Sequence, residues 1–305
     1  MESMNKKLIV ILGPNASGKS NLGVSLAKKI DGEIVSADSR QVYKGLDIGS
    51  GKITKKEMNG VKHYCLDIAN PKKIFTAHDY KKCAEEATQK IWQKNKIPII
   101  VGGTGFYIDS AVGRVELSNV PLNPRLRKRL QKLSTAQLFN KLKKLDPKKA
   151  KNIDRNNKVR LERAIEIVKG ERLVFSKSFR STEKGVQPEN ILWIGIKRSK
   201  EDLKKRIHKR LVVRIPGIIK EIKKLRHPPA GGGITWKRLF ELGLEYRYVS
   251  LYLRGQLKKG DMIKKLETEI NRYAKRQMTY WRRNKEIKWV GEKEAKKLGQ
   301  RFALA

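Results

Sequence analysis

The sequence predicts an α/β fold: a doubly wound parallel sheet with a helical insertion and a mainly helical, basic C-terminal part. Three observations predict it. Apolar strand-like runs alternate with helix-period segments through residues 8–103. From about residue 118 the chain turns basic, helical and poor in β-branched residues. A further strand-like run returns at 191–196.

The elements follow in order. Residues 8–12, Leu-Ile-Val-Ile-Leu, lack any polar alternation, as a strand buried on both faces of a parallel sheet requires. A glycine-containing loop comes next, then a helix over 21–29 with Leu22, Leu26 and Ile30 at helical spacing. Residues 34–38 are a second strand candidate. Residues 75–94 read as a helix with Tyr80, Ala84, Ala87 and Ile91 on one face, and 98–103 as a third strand running into glycines. Residues 119–124 resemble a linker, and 125–151 a helical insertion. A helix over 159–168 turns Leu161, Ala164, Ile165 and Val168 inward. Residues 191–196 return the chain to the sheet. In the long helix predicted for 262–283, Ile263, Leu266, Ile270, Tyr273, Met278 and Trp281 share one face. Pro228, Pro229, Ala230 and the glycines at 231–233 break the chain before it. The expected divisions are residues 1–117, 118–157 and 158–305.

Charge divides along the same line. The 305 residues carry 71 Lys and Arg against 30 Asp and Glu, a formal net charge of +41. Residues 1–112 hold 18 basic and 11 acidic side chains, a net of +7. Residues 113–305 hold the other 53 and 19, a net of +34. That asymmetry points to a polyanion, nucleic acid first, for the second part, against the plainer reading of a solvated Lys-rich surface. The apolar run at 8–12 is too short for a signal-peptide core or a membrane span, so a cytoplasmic protein is expected. Cys65 and Cys83 cannot build a disulfide framework. Four histidines without a Cys-x-x-Cys pair leave no zinc ribbon or finger.

Gly13-Pro14-Asn15-Ala16-Ser17-Gly18-Lys19-Ser20 matches the phosphate-loop pattern G-x-x-x-x-G-K-[ST] between a buried strand and a helix, which makes the sheet P-loop NTPase-like. Loop amides and the helix N-terminus face an anion, Lys19 neutralises phosphate oxygens, and Ser20 offers a hydroxyl to Mg²⁺. The pattern leaves open whether the ligand is a nucleoside triphosphate or another pyrophosphate. Asp38 closes the second strand, where parallel-sheet ligands gather. It suits a general base, a carboxylate holding Mg²⁺ through water, or simply a turn aspartate. Gly102-Gly103-Thr104-Gly105 ends the third strand, either as a wall of the same crevice or as a tight turn.

Residues 36–49, Ser-Ala-Asp-Ser-Arg-Gln-Val-Tyr-Lys-Gly-Leu-Asp-Ile-Gly, resemble the second signature of the tRNA dimethylallyltransferases, also called isopentenyltransferases. The resemblance includes residues 13–20, His63-Tyr64, Leu66-Asp67, residues 101–107, residues 160–166 and residues 273–282. It covers nearly the whole chain in family order. It implies a P-loop core with a helical insertion. It also implies transfer of a dimethylallyl group from dimethylallyl diphosphate to N6 of adenine at tRNA position 37, with Mg²⁺. On this likeness residues 13–20 hold the donor diphosphate, Asp38 is the catalytic base, and Thr104 contacts the site beside it. Ser39, Arg40 and Gln41 read the adenine, and Arg210 reaches the diphosphate. Arg127, Val159, Arg160, Leu161, Glu162, Arg163, Lys275, Arg276, Gln277 and Arg282 contact the tRNA anticodon stem-loop. A monomer is expected.

Two departures stand out. The stretch between Arg210 and Gly217 is about one residue shorter than the family pattern. Glu245-Tyr246 stands where the family has Gly-Tyr. The C-terminal zinc finger of eukaryotic members is absent, as in bacterial ones. A P-loop small-molecule kinase, or an isopentenyltransferase acting on free adenine nucleotides, would share the loop. Neither explains the basic second part.

Overall fold

The computed structural model describes residues 6–174, 190–228 and 231–305. The chain divides into two compact units, Met1–Val115 with Gly185–Ala305, and Glu116–Lys184. The first unit opens with β1 (Lys7–Leu12), α1 (Lys19–Lys29), β2 (Glu33–Ala37), α2 (Lys55–Met58), β3 (His63–Tyr64), α3 (Ala77–Trp92), β4 (Pro98–Gly102) and α4 (Gly105–Ala111). The second unit holds α5 (Pro124–Leu130), α6 (Thr135–Leu145), α7 (Pro147–Asn152) and α8 (Lys158–Val174). The first then resumes with β5 (Asn190–Ile196), α9 (Lys200–Arg226), α10 (Trp236–Leu242), α11 (Leu244–Leu253), α12 (Lys259–Trp281), β6 (Lys288–Val290) and α13 (Glu292–Leu304).

Among the described residues the strands form one sheet in the order β3-β2-β4-β1-β5-β6. Every pairing is parallel. Side chains of successive strand residues point to opposite faces, so an unbroken apolar run serves two cores at once. Leu8, Val10, Leu12, Val35, Ile100 and Trp193 pack in one, with apolar residues of α3, α9 and α12. Ile9, Ile11, Ile34, Ile99, Val101 and Ile194 pack in the other, with Leu22 and Leu26 of α1 and Ala295 of α13. Caps set the helix starts. Thr76 and Asp79 form a capping box on α3, and Ser199 accepts from the Asp202 amide at the start of α9.

Sequence periodicity misses β3 and β6. They have two and three residues, too few for a pattern to register, and β6 is held by pairing with β5. The insertion is also longer than the expected 118–157. Helix α8, which falls in the expected 158–305 division, lies in the second unit. Its Leu161, Ile165 and Val168 bury against Leu138 and Leu142 of α6. The inward face was read correctly from spacing, but spacing does not say which core it enters. Pro229 and Ala230 of the predicted break lie outside the described residues. A disulfide joins Cys65 to Cys83 on α3. No helix among the described residues is long and apolar enough to cross a membrane.

A buried carboxylate organises the second unit. Glu166, 1% exposed, accepts from Nε and Nη2 of Arg127 at 3.0 and 2.8 Å. It also accepts from the Asn123 amide and from Arg163 Nη1, each at 2.6 Å. Burial pushes this carboxyl up, but the two guanidiniums and the amide together outweigh it and hold it below the ordinary range. The start of α5 is thereby fastened to α8.

Gly102 pairs with Leu12 on one side and Ala37 on the other. A Cβ there would lie 2.1 Å from the Ala37 carbonyl oxygen, a backbone atom that cannot swing aside. Gly102→Ala should therefore lower stability by about 1–3 kcal/mol, as overpacking of a tight interior does. Urea denaturation measures this, and an unchanged midpoint would show that β2 and β4 can separate freely.

Candidate active site

The sheet register delivers three chain ends to one place. β1 leads into the Gly13–Ser20 loop, β2 into Asp38, and β4 into Gly103 and Thr104. All three lie at the carboxyl edge of a parallel sheet, where ligand crevices form. A cavity of about 330 Å³ opens there, lined among others by Lys19, Ser20, Asp38, Arg210, Glu245 and Tyr273.

Internal bonds hold the phosphate loop in shape. Gln277 of α12 accepts from the Asn15 amide at 3.0 Å and donates through Nε2 to the Gly103 carbonyl at 2.9 Å. One buried amide thus ties the loop after β1 to the turn after β4. Arg198 Nε donates to the Ser17 carbonyl at 3.1 Å from the other side. Asn15, Ala16, Lys19 and Ser20 face the cavity. Gly13, Pro14, Ser17 and Gly18 do not line it and form the loop's frame. Lys19 Nζ donates to the Pro14 carbonyl at 2.9 Å. Burial lowers Lys19 to about 8. Asp38 works against that shift and Arg210 adds to it.

Asp38 has the geometry of a turn aspartate. Its Oδ1 accepts from the amides of Arg40 and Gln41 at 2.8 and 3.3 Å, as a turn aspartate does. The residue nevertheless lines the cavity beside Lys19. The turn therefore orients the carboxylate. Thr104 is set outside the cavity lining. Its Oγ1 accepts from the Ser39 amide at 3.1 Å, and its own amide donates to the Ala37 carbonyl. In this geometry Thr104 positions the Asp38–Ser39 turn.

Arg40 and Gln41 line the cavity, but their side chains also brace its walls. Arg40 Nε donates to the Leu242 carbonyl, and Gln41 Nε2 to the Gly51 carbonyl at 3.2 Å. The loop carrying Gly49 and Gly51 is clamped by Glu221 of α9. Its carboxylate accepts from the amides of Asp47, Ile48 and Gly49 at 2.8, 2.6 and 3.0 Å, and from the Tyr246 hydroxyl at 2.8 Å. Arg210 of α9 reaches the same loop, with Nη2 at 3.4 Å from the Gly51 carbonyl.

The residues expected at an RNA surface divide. Lys275, Arg276 and Arg282 are exposed, with Arg276 over the Tyr273 ring. Gln277 is buried, and both ends of its amide are used internally, so its place is beneath the phosphate loop. In the second unit Val159 and Arg160 are exposed. Leu161 is a core residue and Glu162 is buried. Arg127 and Arg163 are half-buried and bound to Glu166. On a helix, consecutive residues face different directions, so a contiguous stretch such as 159–163 cannot all present to one surface. Arg214, Glu221, Glu245 and Tyr273 were missed as site residues. Arg214 was visible as the residue one helical turn after Arg210. Glu245 was visible as a departure from pattern. Glu221 had no sequence signal at all.

Residues 41–284 match the family model described as IPP transferase. A tRNA dimethylallyltransferase of Acetivibrio thermocellus is 37% identical over 292 residues, covering 94% of this chain and 92% of that protein. One of Halothermothrix orenii is also 37% identical, covering 98% and 94%. The crystal structure of a tRNA isopentenylpyrophosphate transferase from Bacillus halodurans superposes with a TM-score of 0.69 at 32% identity, covering 98% of this chain and 96% of that one. A eukaryotic dimethylallyltransferase acting on tRNA gives a TM-score of 0.72 at 25% identity, covering 90% and 69%. Matched in sequence over most of its length and in backbone over nearly all of it, this chain belongs to the IPP transferase family.

Proposed function

We propose that the protein transfers a dimethylallyl group from dimethylallyl diphosphate to N6 of adenine at tRNA position 37, next to the anticodon. One observation carries this reading: a phosphate loop with a half-buried lysine and a strand-end aspartate share one cavity, in a chain that belongs to this family. The exocyclic amine of adenine is a weak nucleophile, because its lone pair is delocalised into the ring. The new bond joins N6 to the allylic carbon, and the carbon–oxygen bond to diphosphate breaks. The amine proton passes to the Asp38 carboxylate, already oriented by the Arg40 and Gln41 amides. Lys19 and Arg210 neutralise the leaving diphosphate, with the loop amides.

Mg²⁺ suits this donor set. Magnesium is commonly held by one or two protein oxygens plus substrate phosphates and water. The Ser20 hydroxyl faces the cavity, and no cluster of three His, Cys, Asp or Glu exists among the described residues to hold a metal without substrate. Bound there with the diphosphate, Mg²⁺ would neutralise leaving-group charge. The adenine must leave its stack to enter the cavity. The exposed Lys275, Arg276 and Arg282 support docking of the anticodon stem-loop through its phosphates. A monomeric, cytoplasmic enzyme is consistent with this reading.

The direct test incubates the protein with dimethylallyl diphosphate, Mg²⁺ and unmodified tRNA. Mass spectrometry should find isopentenyladenosine, and ATP turnover with a small acceptor in its place would sink the proposal. Asp38→Asn should slow single-turnover transfer by about 10²–10⁴-fold while tRNA binding persists. A near wild-type rate would remove Asp38 as the base. The protonated Lys19 is the form that binds an anion, so kcat/KM for the donor should fall as pH rises through about 8. Lys19→Arg should move that limb to higher pH, and an unchanged limb would assign it elsewhere. The affinity for tRNA should drop steeply from low to physiological salt, and a flat response would exclude phosphate contacts as its basis.

A further inference from the structure

The cavity holds a cation that the transfer described above leaves unused. Arg214 follows Arg210 by one turn of α9, so the two side chains leave the same face of the helix. Both line the cavity and both reach over Gly51. A Cβ at Gly51 would lie 1.7 Å from Nη2 of Arg210 and 3.1 Å from Nη1 of Arg214. With φ at +64°, Gly51 combines a backbone that disfavours other residues with the open space both guanidiniums occupy. Arg214 Nη2 is buried and has no hydrogen-bond partner. Neither arginine forms an ion pair among the described residues.

Two guanidiniums side by side, with Lys19 in the same cavity, repel one another. One of them also leaves a donor unsatisfied. Such an arrangement is costly unless an anion completes it. Burial and the neighbouring Arg210 both hold Arg214 below its ordinary value. Glu245, on α11, lines the same cavity and draws Arg214 the other way. Burial pushes the Glu245 carboxyl up, and Arg214 opposes that shift. Both departures from the family pattern meet here. Arg214 lies in the shortened stretch before Gly217, and Glu245 stands before Tyr246 where the family has glycine.

We propose that Arg214 is a second diphosphate-binding arginine, which joins Arg210 in holding the donor's diphosphate. The proposal rests on reading this cavity as the donor site. The free Nη2 supplies a charge-assisted hydrogen bond to a phosphate oxygen, and paired guanidiniums match the geometry of a multiply charged, multi-oxygen anion. An RNA backbone phosphate offers the same chemistry. The diphosphate is favoured because Lys19 and the phosphate loop line the same cavity.

Calorimetric titration with inorganic pyrophosphate and Mg²⁺, without tRNA, tests this on the whole protein. Arg214→Met should lose about tenfold to a hundredfold in pyrophosphate affinity, the range for a hydrogen bond to a charged group. KM for dimethylallyl diphosphate should rise while tRNA affinity stays as in wild type. A merely structural role would instead lower both affinities together with the thermal midpoint, and would overturn the proposal. So would wild-type pyrophosphate affinity in Arg214→Met, or a loss confined to tRNA binding, which would give the guanidinium to an RNA phosphate. If Arg214→Met does not fold, Arg214→Lys serves, with a loss of about tenfold expected from a point charge in place of the fork. Wild-type affinity there overturns the proposal. A wild-type protein that binds no pyrophosphate would refute the donor-site reading itself, before any substitution is made.

Discussion

The site depends on the register of three parallel strands. Gly102 stands opposite both Leu12 and Ala37, so β1, β4 and β2 end level with one another. The next residues of each strand begin the phosphate loop, the Gly103–Thr104 turn and Asp38. A one-residue slip in either pairing would turn the whole strand's side chains to the opposite face. It would also separate the aspartate from the lysine. The absence of a side chain at Gly102 permits the close approach of β2 and β4. The all-parallel topology, with helices packed on both faces, gathers the strand ends at that one edge.

A second layer of polar contacts turns aligned strand ends into a site. Gln277 spans the phosphate loop and the Gly103 turn. Thr104 supports the Asp38 turn. Glu221 gathers three successive amides of the 47–49 loop and a tyrosine hydroxyl. Apart from Thr104, these groups come from α9, α11 and α12, far along the chain from the strands they brace. The C-terminal helices therefore build the cavity as well as carrying the basic surface. The cavity itself is shared between early strands and late helices.

Legibility followed the physical source of each feature. The long strands were readable because burial on two faces demands an unbroken apolar run, and α1, α3 and α12 because one-sided burial leaves a helical period. The phosphate loop and Asp38 were readable because both depend on local sequence beside a strand end. Strands β3 and β6 were not, since their pairing partners, and not their own composition, make them strands. Helix α8 showed its inward face but not its destination. Gln277 and Leu161 fell inside motifs attributed to RNA contact, and burial separated them from exposed neighbours such as Arg276 and Arg160.

By itself the sequence determined the fold class, the phosphate-loop motif, the strand-end position of Asp38 and the basic character of the second part. Each rests on composition or spacing within a short window, where backbone geometry alone relates residues to one another. Only the tertiary structure decided which polar side chains face the cavity and which are consumed in holding it. It brought Arg210, Arg214 and Glu245 into one cavity with Lys19, made Gln277 a brace, and moved α8 into the second unit. Those outcomes depend on contacts between residues tens to hundreds of positions apart. No local pattern encodes them, because packing and charge pairing are settled only when the separate elements meet.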